Sequence, residues 1–137
     1  MLLTIDIGNT NITLGAYDSG ILVFTARLAT EYIKTADQYA AELKDILSLY
    51  GQDYSDVEDC IISSVVPAVG RSVSEAVSKL CDIVPLMLGP GVKTGLNIRM
   101  DDPSSVGSDR IVIAVAALQQ YAPPLTLVDM GTATTIE

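Results

Sequence analysis

Two short polar turns, at residues 6–11 (DIGNTN) and 129–134 (DMGTAT), each follow an apolar run and contain similar residue types in the same order. In such a turn, glycine lets a phosphate approach the backbone, and backbone N–H groups and Asn or Thr side chains donate to its oxygens. The aspartate at the strand end can hold a cation or its water shell. The candidate ligands are therefore Asp6, Gly8, Asn9, Thr10, Asn11, Asp129 and Thr132.

The repetition of this turn decides between two interpretations. A single Asp-x-Gly turn is more typical of an ordinary β-hairpin than of a phosphate site. Recurrence after about the length of a domain instead indicates two similar domains, the second of which has only begun where the sequence stops. We therefore favour phosphate binding, and we expect residues 125–137 to start a second sheet rather than to complete the first.

Asp109 and Arg110 are the next candidates for chemistry, because the chain contains no histidine and proton transfer must use another group. Asp109 is expected in the first turn of a helix, where the macrodipole favours a carboxylate. On these grounds alone, the position is more typical of an aspartate that serves only the helix N-terminus. Arg110 could bind an anionic group through its guanidinium fork, or form an ion pair at a surface or a subunit interface.

Two glycine-containing loops, 89–95 (GPGVKTG) and 101–107 (DDPSSVG), lie between the polar turns. Lys93 in the first loop is not part of a Walker motif, since the G-x-x-x-x-G-K-[ST] spacing is missing. We expect this loop to line a substrate pocket mainly through its backbone, at Gly89, Gly91 and Gly95.

The elements that must position these residues begin with three strands. The pattern predicts an antiparallel meander of strands 2–7, 12–17 and 21–28, followed by an amphipathic helix. That helix has a capping box at Thr35 and Gln38 and a stop at Gly51.

Strands then alternate with helices, which favours a mixed sheet with helices on its faces. We predict a strand at 60–66, a helix at 69–80 and a buried strand at 83–88. Ser108 should cap a further helix from 109 to about 121, apolar on nearly every face and therefore buried, before Pro123 and Pro124 break it.

Composition restricts the partners. Hydrophobic residues make up 49% of the chain, enough for a globular core, and the net charge of −9 with no basic run argues against nucleic acid and anionic membranes. The first residues lack the basic region of a signal peptide and Asp6 interrupts their apolar run, so we expect no signal peptide, and no apolar run reaches the length of a bilayer span. Cys60 and Cys81 are expected to be inert thiols of a cytoplasmic protein. The partners should be small molecules or other protein chains.

The two polar turns resemble the phosphate motifs of the actin-like and sugar-kinase superfamily. Residues 89–96 (GPGVKTGL) and 103–110 (PSSVGSDR) resemble the motifs specific to type III pantothenate kinases. The resemblance covers the whole chain and implies an α/β fold, a ribonuclease-H-like mixed sheet flanked by helices. It divides the chain into a first domain at 1–122, which includes a long linking helix, and the start of a truncated second domain at 123–137.

The same resemblance implies ATP-dependent phosphorylation of pantothenate, the first step of coenzyme A biosynthesis, by a homodimer. Asp109 would be the general base and Arg110 the ligand of the pantothenate carboxylate. Asp6 would organise Mg²⁺ through water, Asp129 would help to hold K⁺ or NH₄⁺, and Thr132 would contact the transferring phosphate. The implied substrate-binding residues are Gly89, Gly91, Gly95, Gly107, Ser108, Asp109 and Arg110.

The sequence departs from the family pattern at Ser105 and Ser108, where an acidic residue and alanine are more usual, and neither change touches Asp109. Family members are about twice as long, so we expect residues 1–137 to be inactive alone. An actin-like or chaperone-like ATPase is the main alternative, because it would share the phosphate turns. Kinases of other hydroxyl metabolites and a noncatalytic regulator are further alternatives.

Overall fold

The computed structural model describes residues 1–89, 91–131 and 134–136, with only the backbone at Ser104. The chain forms two compact units, Met1–Leu88 and Gly89–Glu137, each of which is described by itself. No helix among the described residues is long and apolar enough to cross a membrane.

The first unit opens with the predicted meander. Strand β1 (Leu2–Ile7) pairs antiparallel with β2 (Asn11–Asp18), which pairs antiparallel with β3 (Ile21–Ala29). The period of two along β1 places Leu3, Ile5 and Ile7 on one face, where they are buried. The predicted hairpins are confirmed.

A parallel strand completes the centre of the sheet. Strand β4 (Asp59–Ser64) pairs parallel with β1, and the two-residue β5 (Leu86–Met87) pairs parallel with β4, giving the order β3-β2-β1-β4-β5. Helices α1 (Ala36–Leu49) and α2 (Pro67–Cys81) contribute to one core with the buried face of this sheet. The predicted fold class, a mixed sheet flanked by helices as in an actin-like ATPase domain, is confirmed.

Helix α1 begins as its sequence predicts. The Thr35 side chain accepts from the Gln38 N–H while the Gln38 side chain accepts from the Thr35 N–H, which is a complete capping box. Gly51 follows the last turn and donates to Ser48 O at 3.0 Å. A short 3₁₀ turn at Tyr54–Asp56 then leads to β4.

The expectation of a buried strand at 83–88 is wrong. Strand β5 is only two residues long, and both of its side chains, Leu86 and Met87, are exposed. Pro85 has no N–H to donate to a ladder, and β5 lies at the edge of the sheet, where no further strand of the described chain covers it. An apolar run does not distinguish an edge strand from a central one.

The second unit contains a 3₁₀ turn (Pro103–Ser105), helix α3 (Ser108–Gln120) and a two-stranded sheet of β6 (Val128–Met130) and β7 (Thr134–Ile136). The capping prediction is wrong by one residue: Gly107, with the non-helical angles φ −59° and ψ 144°, is the N-cap, and Ser108 is the first helical residue. None of the described α3 side chains is buried, contrary to expectation, since this small unit offers little surface to pack against.

Strands β6 and β7 pair with each other and do not join the five-stranded sheet in the described chain. The division into a first domain at 1–122 and a second domain from 123 stays a prediction.

The buried hydroxyl of Tyr39 provides a test of this packing. It donates to Glu31 O at 2.9 Å and accepts from Glu31 N–H at 3.2 Å, while the side chain is only 1% exposed. Tyr39→Phe leaves both backbone groups without this partner, so we expect the free energy of unfolding in urea to fall by about 1–3 kcal/mol.

Tyr50→Phe is the matched control, because the Tyr50 ring stacks on Phe24 and the side chain is partly exposed. It should change the free energy of unfolding by less than about 0.5 kcal/mol. Equal effects of the two substitutions would contradict the assigned role of the Tyr39 hydroxyl.

Candidate functional site

Asp6 lies near the carboxyl end of β1, the central strand of the sheet, and its side chain is exposed between the buried Ile5 and Ile7. Strand register places it directly opposite Thr13 on β2 and Ser63 on β4. Residues in register on neighbouring strands share a face, so Asp6 lies on the face opposite the core. The strand pattern thus presents this carboxylate to solvent.

The turn after β1 is closed by its own backbone. Gly8 N–H donates to Asn11 O at 3.0 Å, and a Cβ on Gly8 would lie 3.3 Å from that oxygen. Asn9, Thr10 and Asn11 are exposed. Because the Gly8 N–H is used within the turn, the donors available to a phosphate would come from the residues that follow it.

Thr30, the residue that follows β3, holds this turn in place. Its N–H donates to Thr10 O at 2.9 Å and its hydroxyl donates to Gly8 O at 2.8 Å. Sequence reasoning missed Thr30, because the contact joins residues that are distant along the chain. No local pattern in the sequence indicated it.

Ser63 was also missed. It is only 5% exposed and is the one polar residue in the buried set of the described chain. It lies within an apolar run that predicted a strand and nothing more. Its position beside Asp6 follows from the parallel register of β1 and β4, which sequence alone does not give.

The glycine-rich loop at 89–95 starts the second unit. Gly91 and Gly95 have φ angles of +92° and +79°, and nothing lies within 4 Å of a Cβ built on either. Glycine is therefore required there by backbone conformation and not by crowding. Val92 N–H donates to Gly89 O at 3.2 Å, and Pro90 lies outside the described residues. A backbone-lined pocket at this loop stays a prediction.

Asp109 and Arg110 lie in the first turn of α3, as predicted, and both are half-buried. Asp109 Oδ1 accepts from Arg110 N–H at 2.9 Å. Ser105 closes the preceding turn, because its hydroxyl donates to Asp102 O at 2.7 Å. The carboxylate thus lies at the N-terminus of α3, the positive end of the helix dipole, where it could act as a base or only as a cap.

Asp129 lies on β6 opposite Thr135 and is half-buried, whereas Thr132 lies outside the described residues. The described residues contain no group of three or more His, Cys, Asp or Glu side chains that could hold a metal by themselves. Mg²⁺ prefers oxygen ligands, keeps several waters and commonly uses one or two carboxylates together with phosphates. The exposed Asp6 carboxylate fits that type of site.

The two cysteines do not supply a nucleophile. Cys60 is buried, and burial raises the pKa of its thiol to about 12. Burial also raises the pKa of the Cys81 thiol. Both groups are therefore neutral thiols near pH 7, and the thiolate is the reactive form.

The Thr30 hydroxyl can be tested independently of any activity. Thr30→Val keeps the shape but removes the donor to Gly8 O, so we expect the free energy of unfolding in urea to fall by about 1 kcal/mol. The Gly8 N–H, which donates to Asn11 O, should also exchange faster. Thr30→Ser keeps the hydroxyl and should retain the wild-type exchange rate. Wild-type exchange in Thr30→Val would show that this bond does not hold the turn.

Comparison with known proteins agrees with these motifs. The family model described as type III pantothenate kinase matches residues 2–137. A type III pantothenate kinase of Halalkalibacterium halodurans is 47% identical over 135 residues, which is 98% of this chain and 53% of that protein. The chain thus spans about half the length of the curated relative it matches. The match along nearly the whole chain shows that it belongs to the type III pantothenate kinase family.

Proposed function

We propose that this protein, in its full length, phosphorylates pantothenate to 4'-phosphopantothenate with ATP, the first step of coenzyme A biosynthesis. The observation that supports this most directly is the pair Asp109 and Arg110, together in the first turn of α3 within a chain that matches the family from residue 2 to residue 137. Four motifs in the family order support it further.

In the proposed reaction, the primary hydroxyl oxygen of pantothenate bonds to the γ-phosphorus of ATP. The bond from that phosphorus to the β–γ bridging oxygen breaks, ADP leaves, and the hydroxyl proton passes to Asp109. Phosphoryl transfer leaves little covalent chemistry to the protein, so positioning and electrostatics provide most of the rate enhancement.

The turn after β1 would hold the ATP phosphates. Asn9, Thr10 and Asn11 are exposed there, and Thr30 fixes the backbone of the turn through Gly8 O and Thr10 O. Asp6 would hold Mg²⁺ through water, and the bound cation would neutralise part of the phosphate charge. Thr132 would contact the transferring phosphate.

Arg110 would hold the carboxylate of pantothenate, since a guanidinium matches a carboxylate with two parallel hydrogen bonds. Gly89, Gly91, Gly95, Gly107 and Ser108 would line the same pocket. The positive φ angles of Gly91 and Gly95 support a specific loop shape, because residues with a side chain rarely adopt them.

A monovalent cation and a second subunit belong to the same proposal. Asp129 would help to hold K⁺ or NH₄⁺ near the phosphates. The protein would form a homodimer in the cytoplasm, and α3 is a candidate interface element because Val112, Ile113 and Leu118 are exposed on it. An ultracentrifuge measurement that finds only monomer at working concentration would contradict the dimer.

An actin-like or chaperone-like ATPase would share the turn after β1 but would need neither a base nor an anion-binding arginine beside the acceptor. A coupled ADP-release assay separates the two functions. With ATP, Mg²⁺ and K⁺ or NH₄⁺ present, we expect the full-length protein to release ADP only when pantothenate is added. ATP hydrolysis indifferent to pantothenate would favour the ATPase.

Asp109→Asn tests the base. We expect turnover to fall by about 10²- to 10⁴-fold, the range for loss of general base catalysis, while the dissociation constant for MgATP changes little. Isothermal titration calorimetry and the ADP-release assay measure the two quantities.

Asp45→Asn is the matched control, because Asp45 is an exposed residue of α1 on the helical side of the sheet and the substitution makes the same change in charge. It should leave both quantities at their wild-type values. Full turnover in Asp109→Asn would refute the assignment of the base.

A further inference from the structure

The face of the five-stranded sheet opposite the core contains a row of four polar side chains. Arg27 on β3 is in register with Thr13 on β2, Thr13 with Asp6 on β1, and Asp6 with Ser63 on β4. Residues in register share a face, so these four side chains form one line across the sheet. We call them the polar row.

The polar row lies at the end of the sheet that contains the phosphate-binding candidates. Asp6 is followed by Ile7 and then by the turn at Gly8, and Arg27 is followed within three residues by Thr30, which bonds to that turn. The turn is therefore joined to Asp6 directly along the chain, and to Arg27 through the hydrogen bonds of Thr30.

Arg27 is the basic residue of Met1–Leu88 whose strand position places it on the same sheet face as Asp6. Lys44, Arg71 and Lys79 lie on helices α1 and α2, and Lys34 lies just before α1, where it pairs with Glu31 and Glu42. Arg27 is exposed, and none of the ion pairs of the described residues includes it.

The spacing of the polar row leaves room for a ligand. Neighbouring strands lie about 4.8 Å apart, so the Cα atoms of Arg27 and Asp6 are separated by two strand spacings, or about 10 Å. Asp6 is a short side chain and Arg27 is a long one with five N–H donors. A phosphate group with its hydrated cation fits between a carboxylate that organises the cation and a guanidinium that binds the phosphate oxygens.

We propose that Arg27 binds the triphosphate of the nucleotide, on the side of the phosphates away from the cation held by Asp6. This inference rests on the proposed function and adds a residue from β3 to its nucleotide site. A guanidinium in this position neutralises charge on the phosphates and forms two directed hydrogen bonds, which an ammonium group cannot match. Thr13, half-buried between the two charged residues, adds a hydroxyl to the same surface.

The experiment compares MgATP binding by the full-length wild-type protein and three variants, using isothermal titration calorimetry. We expect Arg27→Gln to weaken MgATP binding by about 10- to 100-fold, as the loss of charge-assisted hydrogen bonds implies. Arg27→Lys keeps the charge without the fork and should give an intermediate loss. Arg71→Gln removes the same charge from an exposed position on the core-facing helix α2 and should bind MgATP like the wild type.

Unfolding temperature provides the check on structure, because Arg27 is exposed and its replacement should leave that temperature unchanged. Wild-type affinity in Arg27→Gln would overturn the proposal, and so would an equal loss in Arg71→Gln, which would indicate a general charge effect. Failure of the wild-type protein to bind MgATP would overturn it as well.

The role of Arg27 and the proposed kinase activity can fail separately in these experiments. A wild-type protein that binds MgATP but releases no ADP in response to pantothenate would refute the kinase activity. Weaker MgATP binding by Arg27→Gln in that protein would still support the role of Arg27.

Discussion

The pairing of β1 with both of its neighbours determines every candidate position in the first unit. Its alternation places Leu3, Ile5 and Ile7 in the core and leaves Asp6 on the opposite face. A slip of one residue in register would exchange the two faces, burying the carboxylate and exposing three large apolar side chains. The burial of the apolar side chains therefore fixes the register, and the register in turn fixes the polar row and the turn that follows β1.

A short series of hydrogen bonds connects the core to that turn. Tyr39 is packed in the core on α1, and its hydroxyl holds both backbone groups of Glu31. The preceding residue, Thr30, bonds to Gly8 O and Thr10 O. Because the two anchors are adjacent in sequence, helix packing limits how far the turn can move. The phosphate-binding candidates thus lie on a surface segment with support from the interior.

Much of this arrangement could be predicted from local pattern. The meander, the capping box of Thr35 and Gln38 and the position of Asp109 in a first helical turn follow from short-range rules. Thr30, Ser63 and Arg27 could not be assigned, because their roles depend on which strands are neighbours and in what register. The errors at 83–88 and in α3 concern burial, which depends on what packs against an element and not on the apolar content of that element.

The net charge of the chain makes the local arrangement of charges more important. With a net charge of −9, residues 1–137 produce a long-range field that opposes a nucleotide, so steering by this part of the protein does not assist binding. Lys34 and Lys79 do not create a positive patch. Hydrogen bonds to Glu42 and Glu31 raise the pKa of Lys34, and those to Glu75 and Asp37 raise the pKa of Lys79. Each ammonium stays charged beside two carboxylates, so each of these groups has a net negative charge and does not attract a polyphosphate. Attraction for a polyphosphate must then come from short-range groups: turn N–H donors, hydroxyls, a bound cation and a guanidinium on the same face as Asp6. Such groups act only when a phosphate occupies a defined position, so the protein would select its nucleotide by fit and not by bulk charge.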